Sequence, residues 1–272
     1  MTPVIKAATR QGVRSAPPQT LIEVLRGRAQ RQPEKTAYTF LDEHGEEEAR
    51  LSYAELDERA RAIASLLQAQ GLQGERALLL YPPGLEFIAA FMGCMYAGVV
   101  AVPAYPPRTP QAVPRLLAIA GDARPAALLT SSSLWPKLSS LAEKSLPGIR
   151  SLATDGALFD GDAGSWSQPE AHGQSLAFLQ YTSGSTSAPK GVMVRHGNLL
   201  HNEETIRQAF QQTEDSVVVG WLPLYHDMGL IGTVLQPLYV GASAILMSPL
   251  TFLQRPALWL QTITRYHATT SG

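Results

Sequence analysis

The residues with the clearest chemical promise form one run, Tyr181-Thr-Ser-Gly-Ser-Thr-Ser-Ala-Pro-Lys-Gly191, directly behind the apolar stretch Leu176-Ala-Phe-Leu-Gln-Tyr181. The run offers hydroxyls at Thr182, Ser183, Ser185 and Thr186, glycines at Gly184 and Gly191, and one cation at Lys190, with nothing bulky between Thr182 and Ala188. Exposed backbone N–H groups, hydroxyl donors and a single positive charge are what a polyphosphate clamp needs. Ser/Thr/Gly clusters between strands also serve as plain turns. The lysine and the position behind an apolar strand favour the clamp.

Spacing separates the classes of clamp. A Walker-type loop starting at Gly184 requires Gly at 189 and Ser or Thr at 191, where the chain has Pro189 and Gly191. A nucleophile elbow requires Ser between two glycines, whereas Gly184-Ser-Thr-Ser-Ala188 has Thr at its centre and Ala at its end. The glycines also do not fall as G-x-G-x-x-G, which removes a dinucleotide fingerprint.

Further along, His226-Asp227 precedes the apolar stretch Met228–Leu238. Asp227 reads first as the cap or first-turn acid of a helix there. Met228, Leu230, Ile231, Val234 and Leu235 read chiefly as core, with Met228 and Ile231 expected near a pocket mouth. No metal ligand set is expected: His196 and His201 are five apart, not the three or four that align ligands on a helix face. The single cysteine, Cys94, forms no intrachain disulfide and excludes four-cysteine zinc sites.

The elements that must carry these residues alternate. Thr20 and Glu23, and again Ser52 and Glu55, have capping-box spacing ahead of amphipathic helices, the second stopped by Gly71. Tyr38–Leu41 and Arg50–Leu51 flank a turn at Asp42-Glu-His-Gly45. Ala77–Tyr81, Val99–Val102 (closed by Pro103), Ala126–Leu129, Leu176–Tyr181, Gly191–Val194, Ser216–Trp221 and Ala242–Met247 read as strands. Leu85–Tyr96, Leu116–Ile119, Ser139–Lys144, Asn198–Phe210, Met228–Leu238 and Leu253–Tyr266 read as helices, and polar Ser151–Trp166 as a connector. The pattern predicts an α/β fold of mainly parallel sheets flanked by helices, with ligands outside the carboxyl ends of strands.

Composition excludes several classes. Of 272 residues, 45% are hydrophobic and 17% charged, and 22 Lys+Arg against 23 Asp+Glu give a net charge of −1. Such a chain is expected to fold, and it carries no footprint for nucleic acid. Residues 1–19 lack the apolar core of a secretory signal and are expected to form a flexible tail. Phe87–Pro107 is uncharged and long enough to span a bilayer, but Gly98 and Pro103 fall where a buried helix and a buried strand would end, so no membrane span is expected. A reducing, cytoplasmic setting is the simplest.

The Tyr181–Gly191 run resembles the phosphate-binding signature of the adenylate-forming superfamily, which includes acyl-CoA synthetases, peptide-synthetase adenylation domains and luciferases, with Ser187 where glycine is usual. Leu222-Pro-Leu-Tyr-His-Asp-Met-Gly-Leu-Ile-Gly232 is similar to that family's next motif. Tyr81-Pro-Pro-Gly-Leu-Glu86, Ala101-Val-Pro-Ala-Tyr-Pro-Pro-Arg108 and Ala268-Thr-Thr-Ser-Gly272 resemble fatty acyl-AMP ligases in particular.

The resemblance implies that residues 20–272 are an N-terminal AMP-binding (adenylation) domain, incomplete at its C-terminus and without the C-terminal lid. It implies ATP-dependent activation of a fatty acid to acyl-AMP with release of pyrophosphate. The acyl group then passes to the phosphopantetheine arm of an acyl carrier protein, as in polyketide and lipopeptide synthesis. Thr182, Ser183, Ser185 and Thr186 would supply donors, Gly184 and Gly191 close backbone approach, Lys190 charge near the pyrophosphate, and His226 a contact beside carboxylate and α-phosphate. Mg²⁺ would bridge phosphate oxygens with few protein ligands. The family's ribose-binding aspartate and lid lysine would lie beyond Gly272, so the 272-residue chain alone is expected to show little or no adenylating activity. Competing readings are an acyl-CoA synthetase and a nucleotide- or acyl-binding module without turnover.

Overall fold

The computed structural model describes residues 17–182 and 189–272. The first unit is helical, α1 (Leu21–Arg31), a β-hairpin of β1 (Thr36–Leu41) and β2 (Glu47–Ser52), then α2 (Tyr53–Ala69). The α2 capping box forms in full: Ser52 Oγ accepts from Glu55 N at 3.2 Å and Glu55 Oε2 accepts from Ser52 N at 2.7 Å. At α1 only half forms. Thr20 Oγ1 accepts from Glu23 N at 3.2 Å, but the Glu23 carboxylate takes the N–H of Gln19 instead.

Next come β3 (Arg76–Leu80), α3 (Leu85–Ala97) and β4 (Val100–Ala104). The long uncharged stretch is thus a buried helix and a buried strand, separated by Gly98 at φ +68°. No helix among the described residues is long and apolar enough to cross a membrane. Then follow α4 (Val113–Ala123), β5 (Ala127–Thr130), α5 (Trp135–Ser145), β6 (Arg150–Ala153), β7 (Leu176–Tyr181), β8 (Gly191–Arg195) and α6 (His196–Phe210). The last part holds β9 (Val217–Gly220), a π-helical segment (Met228–Leu235), α7 (Gln236–Val240), β10 (Ser243–Met247), α8 (Pro249–Gln254), α9 (Pro256–Arg265) and β11 (Thr270–Ser271).

Two sheets result, ordered β6-β5-β3-β4-β7-β8 and β11-β9-β10-β1-β2. Neighbours run parallel except β1–β2 and β7–β8. Side chains alternate between the two faces of each strand, which builds layers. Leu79, Ala101 and Phe178 of the first sheet and Tyr38, Val218 and Leu246 of the second meet in one central cluster filled by α1, α2, α3 and the π-helical segment. Leu78, Val102 and Leu179 face outward onto α4 and α5. Leu41, Val219 and Ile245 face outward, with Trp259 and Ile263 of α9 against them.

The structure corrects four local expectations. Ser151–Trp166 is not only a connector, since Arg150–Ala153 pairs with β5 as a short edge strand of mixed polar and apolar residues. Pro103 lies inside β4 and not at its end: the β3 ladder runs through Leu79↔Pro103, while that with β7 is confined to Ala101↔Phe178. The single helix expected over Leu253–Tyr266 is two, because Pro256 disfavours helical backbone at Arg255, which sits at φ −139°. The helix after Asp227 starts as a π-helix. There Thr233 Oγ1 donates to Gly229 O at 2.6 Å, the carbonyl that an α-ladder reserves for the Thr233 N–H.

Candidate functional site

The end of β7 is held from both faces of its sheet. Gln180, only 7% exposed, points inward, and its Nε2 donates to Tyr225 O at 3.1 Å. Its Oε1 is buried and has no partner among the described residues. Tyr181 points outward and its hydroxyl donates to Asp122 Oδ2 of α4 at 2.5 Å. Burial, the Asp122 hydrogen bond and the Asp122 charge push the Tyr181 phenol up, so it remains a protonated donor. One residue on, Thr182 O accepts from Arg115 Nη2 of α4 at 3.3 Å.

Because β8 returns antiparallel, the candidate phosphate loop is a hairpin connection whose feet pair at Tyr181↔Gly191. A Cβ at Gly191 would lie 2.9 Å from Tyr181 Cζ, so the glycine here admits the Tyr181 ring. Thr182 and Lys190 are exposed at the two feet. Ser183, Gly184, Ser185 and Thr186 lie outside the described residues.

The second candidate segment is brought to the same strand end through the Gln180–Tyr225 bond. His226 N donates to Pro223 O at 3.1 Å and His226 O accepts from Leu230 N at 2.8 Å. Asp227 Oδ1 accepts from Met228 N at 2.7 Å, the capping role read from its residue type, and also lies 2.6 Å from His226 Nδ1. The π-helical segment starts this close to the Leu222-Pro223 turn because of Gly229: a Cβ there would stand 2.2 Å from Pro223 O. Met228 and Ile231 separate. Met228 is 63% exposed, whereas Ile231 packs against the central core.

A third segment joins them. The rings of Tyr105 and Tyr225 lie 5.0 Å apart, and the Arg108 guanidinium sits 5.1 Å over Tyr105. Tyr81, Pro83, Tyr105, Pro107, Arg108 and Leu138 line a cleft of about 160 Å³ here. A larger groove of about 850 Å³ lies elsewhere, over α1, α6 and α7, and none of the candidate residues line it. Tyr105 and Tyr225 stand inside two of the runs quoted from the sequence, with no role given to either, and Gln180 was missed. The available signal was a glutamine in an otherwise apolar strand. Among the described residues no group of three or more His, Cys, Asp or Glu is placed to hold a metal ion.

Known proteins are similar to this chain over most of its length. The chain is 47% identical over 258 residues to the medium-chain-fatty-acid–[acyl-carrier-protein] ligase JamA of Moorena producens, covering 93% of this chain and 43% of that protein. It is 38% identical over 248 residues to the long-chain-fatty-acid–AMP ligase FadD26 of Mycobacterium tuberculosis, covering 88% of this chain and 42% of that protein. The crystal structure of fatty acyl-adenylate ligase from L. pneumophila, in complex with acyl adenylate and pyrophosphate, superposes with a TM-score of 0.86 at 43% identity over 93% of this chain and 44% of that one. The chain therefore spans under half the length of the relatives it matches. The family model described as AMP-binding enzyme matches residues 25–271, and the chain belongs to that family.

Proposed function

We propose that this domain serves the ATP-dependent activation of a fatty acid to acyl-AMP, followed by transfer of the acyl group to the phosphopantetheine arm of an acyl carrier protein. The observation that carries the proposal is the Gln180 Nε2 to Tyr225 O bond, which ties the base of a hydroxyl- and lysine-bearing loop to the segment presenting His226. The names of the relatives support the substrate and the acceptor. In the reaction a carboxylate oxygen attacks the α-phosphorus, the bond to the bridging oxygen breaks, and pyrophosphate leaves. No strong base is needed, so the protein's work is to hold the carboxylate in line and to offset phosphate charge.

Thr182, Ser183, Ser185, Thr186 and the backbone at Gly184 would hold ATP, with Lys190 against the phosphates and His226 beside the reacting carboxylate. Mg²⁺ would arrive with the nucleotide and supply positive charge against the phosphates, since no cluster of His, Cys, Asp or Glu among the described residues is placed to hold it. Met228 and Ile231 would border the acyl entrance. We place the chemistry in the cytoplasm, where Cys94, fully buried and with its thiol pushed up by burial, stays reduced.

Lys190→Ala is expected to remove a charge-assisted contact worth about 1.5–3 kcal/mol. ATP binding should weaken by roughly 10- to 100-fold in titration calorimetry, and unchanged affinity would remove the loop from the nucleotide site. Activity is tested by fatty-acid-dependent ATP–pyrophosphate exchange, on this chain and on a fusion in which the remaining residues of the Moorena producens relative follow Gly272. Little exchange is expected from the chain alone and clear exchange from the fusion. Supplying CoA or holo carrier protein then identifies the acceptor, and acylation of CoA alone would overturn the carrier assignment.

A further inference from the structure

We infer that the groove between the start of α4 and one face of α5 is a docking surface for an acidic amphipathic helix, and that this helix belongs to the acceptor carrier protein. The chemistry of the helix follows from the groove; the identity of the partner rests on the proposed function. The groove has a volume of about 420 Å³. Pro107, Val113 and Leu141 are its apolar lining, and Arg108, Lys137 and Lys144 supply its charge. Lys137, Leu141 and Lys144 fall at i, i+4 and i+7 of α5, so they share one face of that helix.

Among the described residues no carboxylate lines the groove, and Glu143, the one acid of α5, is exposed outside it. None of the three cations forms an ion pair with a described carboxylate. Residues 1–16 and 183–188 contain no Asp or Glu that could supply one. In a chain of net charge −1 this is a local excess of positive charge. A lone surface cation is ordinary, but three around an apolar trough give a partner both contact area and a required sign. An amphipathic helix can lay its apolar stripe against Val113 and Leu141 while its carboxylates meet the cations. The groove shares Pro107, Arg108 and Lys137 with the cleft among the loops that follow β3, β4 and β5, and Lys137 Nζ donates to Pro107 O at 3.4 Å. That cleft includes Tyr105, whose ring lies 5.0 Å from that of Tyr225, the neighbour of His226. A partner docked here therefore stands at the carboxyl end of the sheet, on the side of the candidate site.

The test uses the carrier-protein substrate of the Moorena producens relative in its apo form, which lacks the phosphopantetheine arm, so that binding reports the protein surface alone. Titrated into this chain, it is expected to bind more weakly as salt is raised, because exposed charges are screened. Lys137→Glu combined with Lys144→Glu should weaken binding roughly tenfold or more, since like charges then face each other. Both lysines are exposed, and Lys144→Glu alone should shift affinity in the same direction. The same change of charge at Arg50 and Arg59, exposed on β2 and α2, should leave affinity unchanged. In the fusion described above, the double lysine variant should raise KM for holo carrier protein and keep fatty-acid-dependent exchange. Absent binding of the apo carrier, equal affinity for the lysine variants, or an equal loss in the Arg50 and Arg59 variant overturns the inference. A loss of CoA binding with carrier binding intact overturns it too, and makes the groove a site for nucleotide phosphates. Exchange that persists while carrier binding ignores the groove leaves the proposed function standing. A fusion without exchange removes the proposed function, and the apo-carrier titration still decides the docking surface.

Discussion

Glu203→Gln is expected to flatten the loss of stability that the protein shows as pH rises from about 6.5 to about 9. Glu203 is fully buried on α6, and burial pushes its carboxyl from 4.5 up to about 9. Its surroundings offer an ionised form little. The Gln236 amide, turned so that Nε2 faces Glu203, lies 2.6 Å from Glu203 Oε2 and 2.9 Å from Glu203 O, while Glu203 Oε1 is buried with no partner among the described residues.

Between pH 4.5 and 9 the native state keeps a proton on Glu203 that the unfolded state gives up, so stability falls as pH rises through that window. The slope is up to about 1.4 kcal/mol per pH unit. His196 acts in the opposite sense. It is buried and held neutral, pushed from 6.5 down to about 4, so its contribution is lost as pH falls below 6.5. Above that pH the Glu203 slope dominates until the Cys94 thiol, pushed up by burial, adds one of the same sign as pH nears 9. Urea unfolding at pH 6.5, 7.5 and 8.5 should show the slope in the unaltered chain and little of it in Glu203→Gln. Parallel slopes in the two would mean that the carboxyl is ionised in the native state.

Gly229→Ala should disturb the site more than a single methyl suggests. The new Cβ would lie 2.2 Å from Pro223 O and 3.1 Å from Leu222 O, backbone atoms that cannot rotate away. Overpacking of this kind costs about 1–3 kcal/mol. Relief requires the π-helical segment to retreat from the Leu222-Pro223 turn, and His226 bridges the two through its N–H to Pro223 O. A lower urea midpoint and a changed His226 imidazole signal are expected together. A lower midpoint with an unchanged signal would show that the turn gives way elsewhere.

What could be read from the chain follows a physical line. Ser52 with Glu55, Gly98 after α3 and the apolar run of β3 were legible because each is local: the residue type satisfies a backbone group within a few positions. The edge strand β6 was not, since its four residues are too short and mixed a run to show a period and its identity comes from pairing with β5, some twenty residues away. The π-helical start was not legible either, since hydropathy carries no trace of which carbonyl each N–H will reach. The site divides in the same way. Lys190, Gly191 and His226 were proposed by type and motif, and the cap at Asp227 was legible from its residue type. Gln180 and Tyr105 act on Tyr225 from distant positions, and only the folded sheet brings those three together. Gly191 was assigned to backbone approach; its immediate neighbour is the Tyr181 ring.

The filling between the two sheets has a consequence for how the protein comes apart. Tyr38 of one sheet donates from its hydroxyl to Val234 O of the π-helical segment at 2.7 Å, and Phe178 of the other stacks edge-on against Phe91 at 5.5 Å within the same cluster. Neither sheet has a private core on its inner side, so neither can open while the other stays closed. Amide exchange in β1 and β7 should accordingly proceed through one shared opening with one denaturant dependence. The strand that leads into the candidate loop thus shares its rigidity with a hairpin of the other sheet.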